Sequence, residues 1–357
     1  MALRGLHIEH FRNLQNVDIR PSPSINLIVG DNAAGKTSLL EAIYCLSTAR
    51  SFRGTSLDQL VSCGSEALLV RGLVECGGSD PRPVVIRRTE GCTELRVDAQ
   101  EVRSLAAVSA LLPVQVLNTE SQRLLTDGPE TRRALLNWGV FHVEQGFSGV
   151  WRQYRRALRQ RNVALRCGHS REAAAWEPQL AELGEKVDHA RCAYIERLLP
   201  AWTHVAAQWL PTDDLTWRYT RGWTRDDSLA EILAARRNQE LDLGYTLSGP
   251  HRADLRLLAH GRDAHHGLSR GQQKLAVIAL RLAQMRVLSS GVGRTPTLLV
   301  DDLPAELDRT HRTAVLEALF ESGAQLFLTA IHRSDLDHLP DGTRMFHVEQ
   351  GRYREVV

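Results

Sequence analysis

Gly30-Asp31-Asn32-Ala33-Ala34-Gly35-Lys36-Thr37 fits the phosphate-loop pattern G-x-x-x-x-G-K-[ST] at every position, and its reading decides the fold. The flanks agree with it. Ile25, Leu27, Ile28 and Val29 form a short apolar run suited to a buried strand, and from Thr37 to Ile43 the apolar residues return at helical spacing. A strand, a glycine-rich turn and a helix, in that order, aim unpaired helix N–H groups and the positive end of the helix dipole at an anion, while glycine lets the backbone close around it. Lys36 is then expected to reach the β- and γ-phosphates of ATP, and the Thr37 hydroxyl its Mg2+ ion, with Gly30 to Thr37 and Ser38 as the cradle. The bland alternative is a chance glycine-rich turn, and the strand and helix on either side argue against it.

A second stretch, Thr297-Leu298-Leu299-Val300-Asp301-Asp302, is an apolar strand that ends in two carboxylates at its C-terminal edge, where open α/β sheets place their ligands. This reads as a Walker B strand: Asp301 is the expected magnesium ligand and Asp302 the group that polarises the attacking water. Lysine supports the same picture. Among 44 basic residues only Lys36, Lys186 and Lys274 are lysine, and two of these fall within motifs, where a compact ammonium suits phosphate. A general bias toward arginine codons, with coincidence at Lys274, is the competing explanation.

With 357 residues the chain has room for about two domains, and 43% hydrophobic with 24% charged content is that of an ordinary globular protein with a sizeable core. No run of about 18 apolar residues and no signal-peptide pattern occurs, so neither membrane spanning nor secretion is expected. The six cysteines form no C-x-x-C pair or Cys/His cluster; with a nucleotide motif in the chain they read as reduced thiols. Short strands are expected at Leu6–Phe11, Val17–Ile19, Ile25–Val29, Leu68–Val74, Val84–Arg88 and Leu95–Val97, then a helical pattern from Thr131 to about Gln239, then strands near Thr246 and Leu255. Residues 1–130 and 241–357 are expected to build the nucleotide-binding part and 131–240 an α-helical lobe. Within that lobe Arg152, Arg155, Arg156 and Arg159 fall opposite the apolar stripe of Trp151, Tyr154, Leu158 and Leu165. Such spacing can track a phosphate backbone, although with a net charge of only +2 it serves equally as a solvated helix face.

Further motifs carry a family resemblance: Ile8 to Leu14 (IEHFRNL), Ser51-Phe52-Arg53-Gly54, Ser248 to Asp254 (SGPHRAD), Leu268-Ser269-Arg270-Gly271-Gln272-Gln273-Lys274, and Asp301 to Asp308 (DDLPAELD). Together with the phosphate loop they run end to end, and the chain resembles the bacterial RecF proteins, ABC-type ATPase heads of the SMC class. The resemblance implies an α/β fold, a mixed sheet around the phosphate-loop helix with an inserted α-helical lobe. It implies an ATP-dependent homodimer in which Ser269, Arg270, Gly271 and Gln272 of one copy cap the γ-phosphate held by the other. It further implies DNA binding at single-strand to double-strand junctions in recombinational gap repair, slow DNA-stimulated hydrolysis, RecR and RecO as partners in RecA loading, and a cytoplasmic location. Gln115 becomes the candidate for the magnesium-sensing glutamine, with an ordinary strand-edge residue as the alternative, and Thr329 the candidate switch residue beside the γ-phosphate. His332 and His347 read as surface or loop histidines.

The chain departs from the family pattern in three places. Asp302 stands where many relatives have glutamate, Thr119 where proline is usual, and Asn137 where aspartate is usual. Two rival readings share the site chemistry. A transporter ATPase subunit is disfavoured by the Phe11-Arg12-Asn13 start, the arginine-rich insert and the SGPHRAD segment. A chromosome-organising SMC protein needs hundreds of residues of heptad repeat, and the short insert with Pro113, Pro129, Pro178, Pro200 and Pro211 leaves no room for one.

Overall fold

The computed structural model describes residues 1–102, 104–224, 226–293, 296–302, 307–336 and 339–356. Its contacts divide the chain into two compact units: Met1–Ser121 with Leu288–Val357, and Gln122–Val287.

The first unit begins with strands β1 (Ala2–Phe11), β2 (Leu14–Ile19) and β3 (Ile25–Val29), then helix α1 (Lys36–Thr48). Strands β4 (Ala67–Glu75), β5 (Arg82–Thr89), β6 (Cys92–Val97) and β7 (Gln100–Glu101) follow, then α2 (Leu105–Leu111) and β8 (Val114–Leu117). All six strands expected in this region occur. Five of them, with the short β7, form an antiparallel sheet in the order β2-β1-β4-β5-β6-β7, and β3 joins a second sheet. Helix α1 packs on both. Leu39, Leu40, Ile43 and Leu46 are fully buried with Val70, Val74 and Ile86 on one side and Ile28, Leu299 and Phe327 on the other. At roughly 1.5–3 kcal/mol for each fully buried aliphatic side chain, this helix is anchored by packing and not by intrinsic propensity. Gly72 on β4 permits the close approach, since a Cβ there would lie 2.4 Å from Leu46 Cδ2.

The second unit holds α3 (Arg123–Thr126), α4 (Pro129–Val143), α5 (Phe147–Arg166), α6 (Ser170–Ala206), β9 (Leu215–Thr220), α7 (Leu229–Leu243), β10 (Asp254–Ala259), β11 (Arg262–Asp263), α8 (Ala264–Gly267) and the start of α9 (Arg270–Val292). The helical pattern read from Thr131 to Gln239 is interrupted by β9, whose period-two alternation pairs it antiparallel with β10. Thr246 lies in no strand. Pro178 and Pro200 do not interrupt the insert as the sequence suggested: both lie inside α6, which runs 37 residues. Each proline removes one backbone bond, and burial of Leu180, Val187, Tyr194, Leu198 and Trp202 along one face compensates. A buried ion-pair cluster lies inside this unit. Arg161, fully buried, donates to Glu240 Oε2 at 2.6 Å, Glu177 Oε1 at 3.0 Å and Thr246 Oγ1 at 2.8 Å. The SGPHRAD segment is clamped by Arg132, which makes a two-pronged bond to Asp254, and by Arg191, which donates to Pro250 O at 2.7 Å.

Strands β12 (Thr297–Val300), β13 (Gln325–Ala330), β14 (Arg344–Glu349) and β15 (Arg352–Val356), with α10 (Arg309–Glu321), return to the first unit. They complete the sheet β15-β14-β3-β13-β12-β8, parallel throughout except for β15. The near-continuous apolar composition of β3, β12 and β13 is that of strands buried on both faces. No helix among the described residues is long and apolar enough to cross a membrane, and no disulfide joins the cysteines.

Candidate nucleotide-binding site

The parallel strands β3, β12 and β13 end side by side, and their C-terminal edges carry the phosphate loop, Asp301-Asp302 and Thr329 respectively. The loop conformation demands its glycines. At Gly30 a Cβ would stand 2.3 Å from the Val348 carbonyl oxygen, and Gly35 has φ 122°, with a Cβ position 3.0 Å from Leu14 Cδ2. Two turns hold the loop from outside. From the β1–β2 turn, Asn13 Nδ2 donates to Ala33 O at 3.2 Å, while Asn13 Oδ1 accepts from Ser38 Oγ at 2.7 Å. From the β14–β15 turn, Gly351 N donates to Ala34 O at 2.8 Å, and from β15 the Tyr353 hydroxyl donates to Gly35 O at 2.9 Å. Burial, with the charge of Asp301 nearby, pushes the Tyr353 phenol up, so it stays a neutral donor.

Lys36 is 8% exposed, and its Nζ donates to Gly30 O at 2.6 Å and Asp31 O at 2.9 Å. Burial lowers its pKa, against the opposing pull of Asp302, Asp301 and Asp31. Helix α1 has neither a side-chain cap nor an acidic residue in its first turn, so its leading N–H groups and dipole face the loop without a built-in anion. Asp301 is the hub of the carboxylate edge. Its Oδ1 accepts from Thr37 Oγ1 at 3.1 Å and from Thr329 Oγ1 at 2.9 Å; the Thr329 hydroxyl in turn accepts from Asp302 N at 2.9 Å. Asp302 has a left-handed backbone, φ 57°. Of the rest of the DDLPAELD run, Leu303 to Glu306 lie outside the described residues, and Asp308 caps α10 by accepting from His311 N at 3.1 Å.

One carboxylate and one hydroxyl are hard oxygen donors too few to enclose an ion. Magnesium suits such a set, since it completes its octahedron with phosphate oxygens and water. No group of three or more His, Cys, Asp or Glu among the described residues forms a cage of protein ligands.

Gln115 is not brought to this cluster. It is buried on β8 in register with Leu298, three residues before Asp301, which at roughly 3.3 Å per residue leaves it about 10 Å short along the sheet. His332 is exposed in a loop, and His347 sits on β14 opposite Val29. In the second unit, the serine and glutamine of the Leu268–Lys274 motif cap α9 reciprocally: Ser269 N donates to Gln272 Oε1 at 2.9 Å and Gln272 N to Ser269 Oγ at 3.3 Å. Ser269, Arg270 and Gly271 are exposed at that helix start, and Gln272 is half-buried.

Three supporting residues escaped the reading of motifs by themselves: Gly351, Tyr353 and Glu41. Glu41 is fully buried on α1, where it accepts from Arg12 through two bonds and from Ser51 Oγ. Arg12 also donates to Thr55 Oγ1 at 3.0 Å, so the Phe11-Arg12-Asn13 and Ser51-Phe52-Arg53-Gly54 motifs converge on the helix behind the phosphate loop. An acidic residue inside the apolar stretch of α1 was the available signal.

The RecF/RecN/SMC N terminal domain family matches residues 2–354. DNA replication and repair protein RecF of Shewanella baltica (strain OS223) is 41% identical over 356 residues, 99% of each chain. Its namesake in Pseudomonas aeruginosa (strain LESB58) is 42% identical over 366 residues, 100% of this chain and 98% of that one. The solved structure of the recombination mediator protein RecF-ATP in the RecFOR pathway superposes with a TM-score of 0.89 at 26% identity, covering 100% and 98% of the two chains. An Smc head bound to the C-winged helix domain of ScpA matches in fold alone, with a TM-score of 0.61 at 14% identity over 100% and 97%. Shared sequence along its whole length and a shared fold lead to one assignment: the chain belongs to the RecF family of DNA replication and repair proteins.

Proposed function

We propose that this protein is an ATP-switched, DNA-binding dimer of recombinational gap repair and replication maintenance, acting in the cytoplasm. The observation that carries the proposal is the Asp301 cluster: a phosphate-loop hydroxyl and a neighbouring-strand hydroxyl converge on one carboxylate oxygen beside a buried lysine. In this reading Gly30 to Ser38 wrap the triphosphate, and Lys36 gives up its bonds to Gly30 and Asp31 carbonyls for the β- and γ-oxygens. Thr37 and Asp301 hold magnesium, which neutralises charge that builds on the phosphates during transfer to water. Asp302 orients and polarises the attacking water. Thr329 ties the Asp301 carboxylate to the main chain of Asp302, so a shift in one is felt by the other. Ser269, Arg270, Gly271 and Gln272 of a second copy close over the γ-phosphate, where the capped start of α9 offers N–H groups and a positive dipole end. ATP then glues two copies together, and its hydrolysis releases them. Slow turnover suits a switch. The wider assembly, with RecR and RecO at gapped junctions during RecA loading, is what the family resemblance implies, and the RecFOR pathway named for the ATP-bound relative supports it.

Molecular mass in solution, measured without nucleotide, with ADP and with ATP plus magnesium, each with and without a gapped duplex, tests this. A dimer is expected only with ATP, and more strongly with DNA. Ser269→Ala is expected to keep nucleotide binding and lose dimerisation; a Ser269→Ala protein that dimerises normally refutes the shared site.

A further inference from the structure

Helix α5 contains six arginines and no acidic residue. Arg161 points inward and takes up Glu177 and Glu240. The other five, Arg152, Arg155, Arg156, Arg159 and Arg166, are all exposed, and none has an ion pair among the described residues. At 100° per residue they fall within one stripe, opposite the buried Tyr154, Ala157 and Leu165, with Val163, 47% exposed, in its midst. From Arg152 to Arg166 the stripe is about 21 Å long at roughly 1.5 Å per residue. Like charges three and four apart repel, and a helix that served only to be solvated would be expected to intersperse glutamate among them.

We propose that this face of α5 follows the phosphate backbone of duplex DNA. The inference rests on the DNA-binding reading above and assigns it to particular residues. The chemistry favours nucleic acid over an acidic protein. A protein interface is centred on aromatic or large apolar anchors. Here Trp151 is half-buried, stacked between Phe147 and Tyr154 and covered by the Arg191 guanidinium, so it is not available as an anchor. A row of guanidiniums offers instead what regularly spaced phosphates accept: paired N–H donors and release of condensed counterions, without sequence preference. On a chain whose net charge is only +2, one unneutralised stripe gives binding a defined face.

The test is duplex affinity, with ATP and magnesium present, across a salt series for wild type, the quadruple variant R152Q/R155Q/R156Q/R159Q and the matching quadruple lysine variant. Each phosphate contact contributes a slope of about −0.9 in log K against log salt, so the glutamine variant is expected to flatten the slope by up to about 3.6 per protomer and to bind at least tenfold more weakly at physiological salt. The lysine variant is expected to keep the wild-type slope. Unchanged helical content and unchanged ATP affinity in the glutamine variant serve as the control for folding. A glutamine variant with the wild-type slope, while wild type binds in a salt-dependent manner, overturns the assignment of this face and leaves the DNA reading standing. A wild type without salt-dependent DNA binding overturns both.

Discussion

Arg191 is a buried cation with no ion-paired carboxylate among the described residues, Asp188 acting on it only from longer range, and replacing Asn137 by aspartate should stabilise the protein. Its side chain is fully buried; Nε and Nη2 both donate to Asn137 Oδ1, at 3.1 and 2.9 Å, and the guanidinium lies 5.3 Å from the Trp151 ring centroid. No carboxylate oxygen lies within 4 Å of it among the described residues. Arg133 nearby has its pKa lowered, by burial first and by the charge of Arg191 second, against the opposing charges of Asp254 and Glu130. Asn137→Asp changes one amide nitrogen to oxygen at nearly constant volume and places a full charge about 3–4 Å from the guanidinium, an attraction of roughly 4 kcal/mol at an effective dielectric of about 20. Position 137 is only half-buried, so desolvation of the new carboxylate and the amide bonds already present reduce the net gain to about 2 kcal/mol. For a unit of this size that corresponds to a rise of roughly 4–8 °C in its unfolding midpoint. The new carboxyl would have a depressed pKa when folded. Its contribution is therefore complete above the unfolded value of about 3.9 and is lost as pH falls through the folded one, which makes the gain constant between about pH 5 and 8. Calorimetric or spectroscopic melting of both proteins across that range is the assay. An unchanged or lower midpoint at pH 7 would show that the guanidinium is already compensated and would refute the reasoning.

Thr329→Val keeps shape but removes the donor to Asp301 and the acceptor for Asp302 N; single-turnover assays should show hydrolysis at least tenfold slower, with ATP affinity within a few-fold, and wild-type turnover would count against the linked acids. Lys36→Arg should retain much of the nucleotide binding and abolish hydrolysis, because a planar guanidinium cannot take the place of a point charge in so tight a loop; equilibrium binding and phosphate release separate the two effects. His251, held down to about 4 mainly by burial, fits its site as the neutral ring, with Nε2 donating to Thr246 O and Nδ1 accepting from the Tyr154 hydroxyl. The unfolded chain binds more protons between about pH 6.5 and 4, so stability should fall by about 3 kcal/mol as pH drops through that window, and His251→Gln should flatten this part of the pH profile in denaturant titrations.

The phosphate loop and the apolar strand ending in Asp301-Asp302 were legible because each is encoded within eight residues, by glycine tolerance and apolar continuity. Thr329 could be placed for the same reason, as the residue near the end of an apolar strand. Gln115 could not. Its height in the sheet depends on the register of β8 against β12, a non-local quantity that an apolar run does not reveal. Gly351 and Tyr353 touch the loop from more than 300 positions away in the chain, and no local pattern announces such a contact. Strand β9 did carry a signal, the alternation of Leu215, Trp217 and Tyr219 with Thr216, Arg218 and Thr220, which the long helical stretches on either side masked. The prolines of α6 mislead for the opposite reason: a local penalty of about 3 kcal/mol is outweighed by tertiary burial along a helix of this length.

The left-handed backbone at Asp302 bears on what evolution can do at this position. Aspartate and asparagine occupy that region several times more readily than longer residues, and the N–H of Asp302 is committed to Thr329, so the peptide cannot rotate to relieve the conformation without breaking that link. The short acid and its unusual geometry are thus a matched pair. Substituting glutamate would lengthen the side chain from a backbone ill-suited to it, so the longer acid and a different main-chain conformation would have to arise together. If Asp302 sets the lifetime of the ATP-bound state, that lifetime is written into the main chain at this point as well as into the side chain, and drifts in it would require coordinated substitutions instead of single ones.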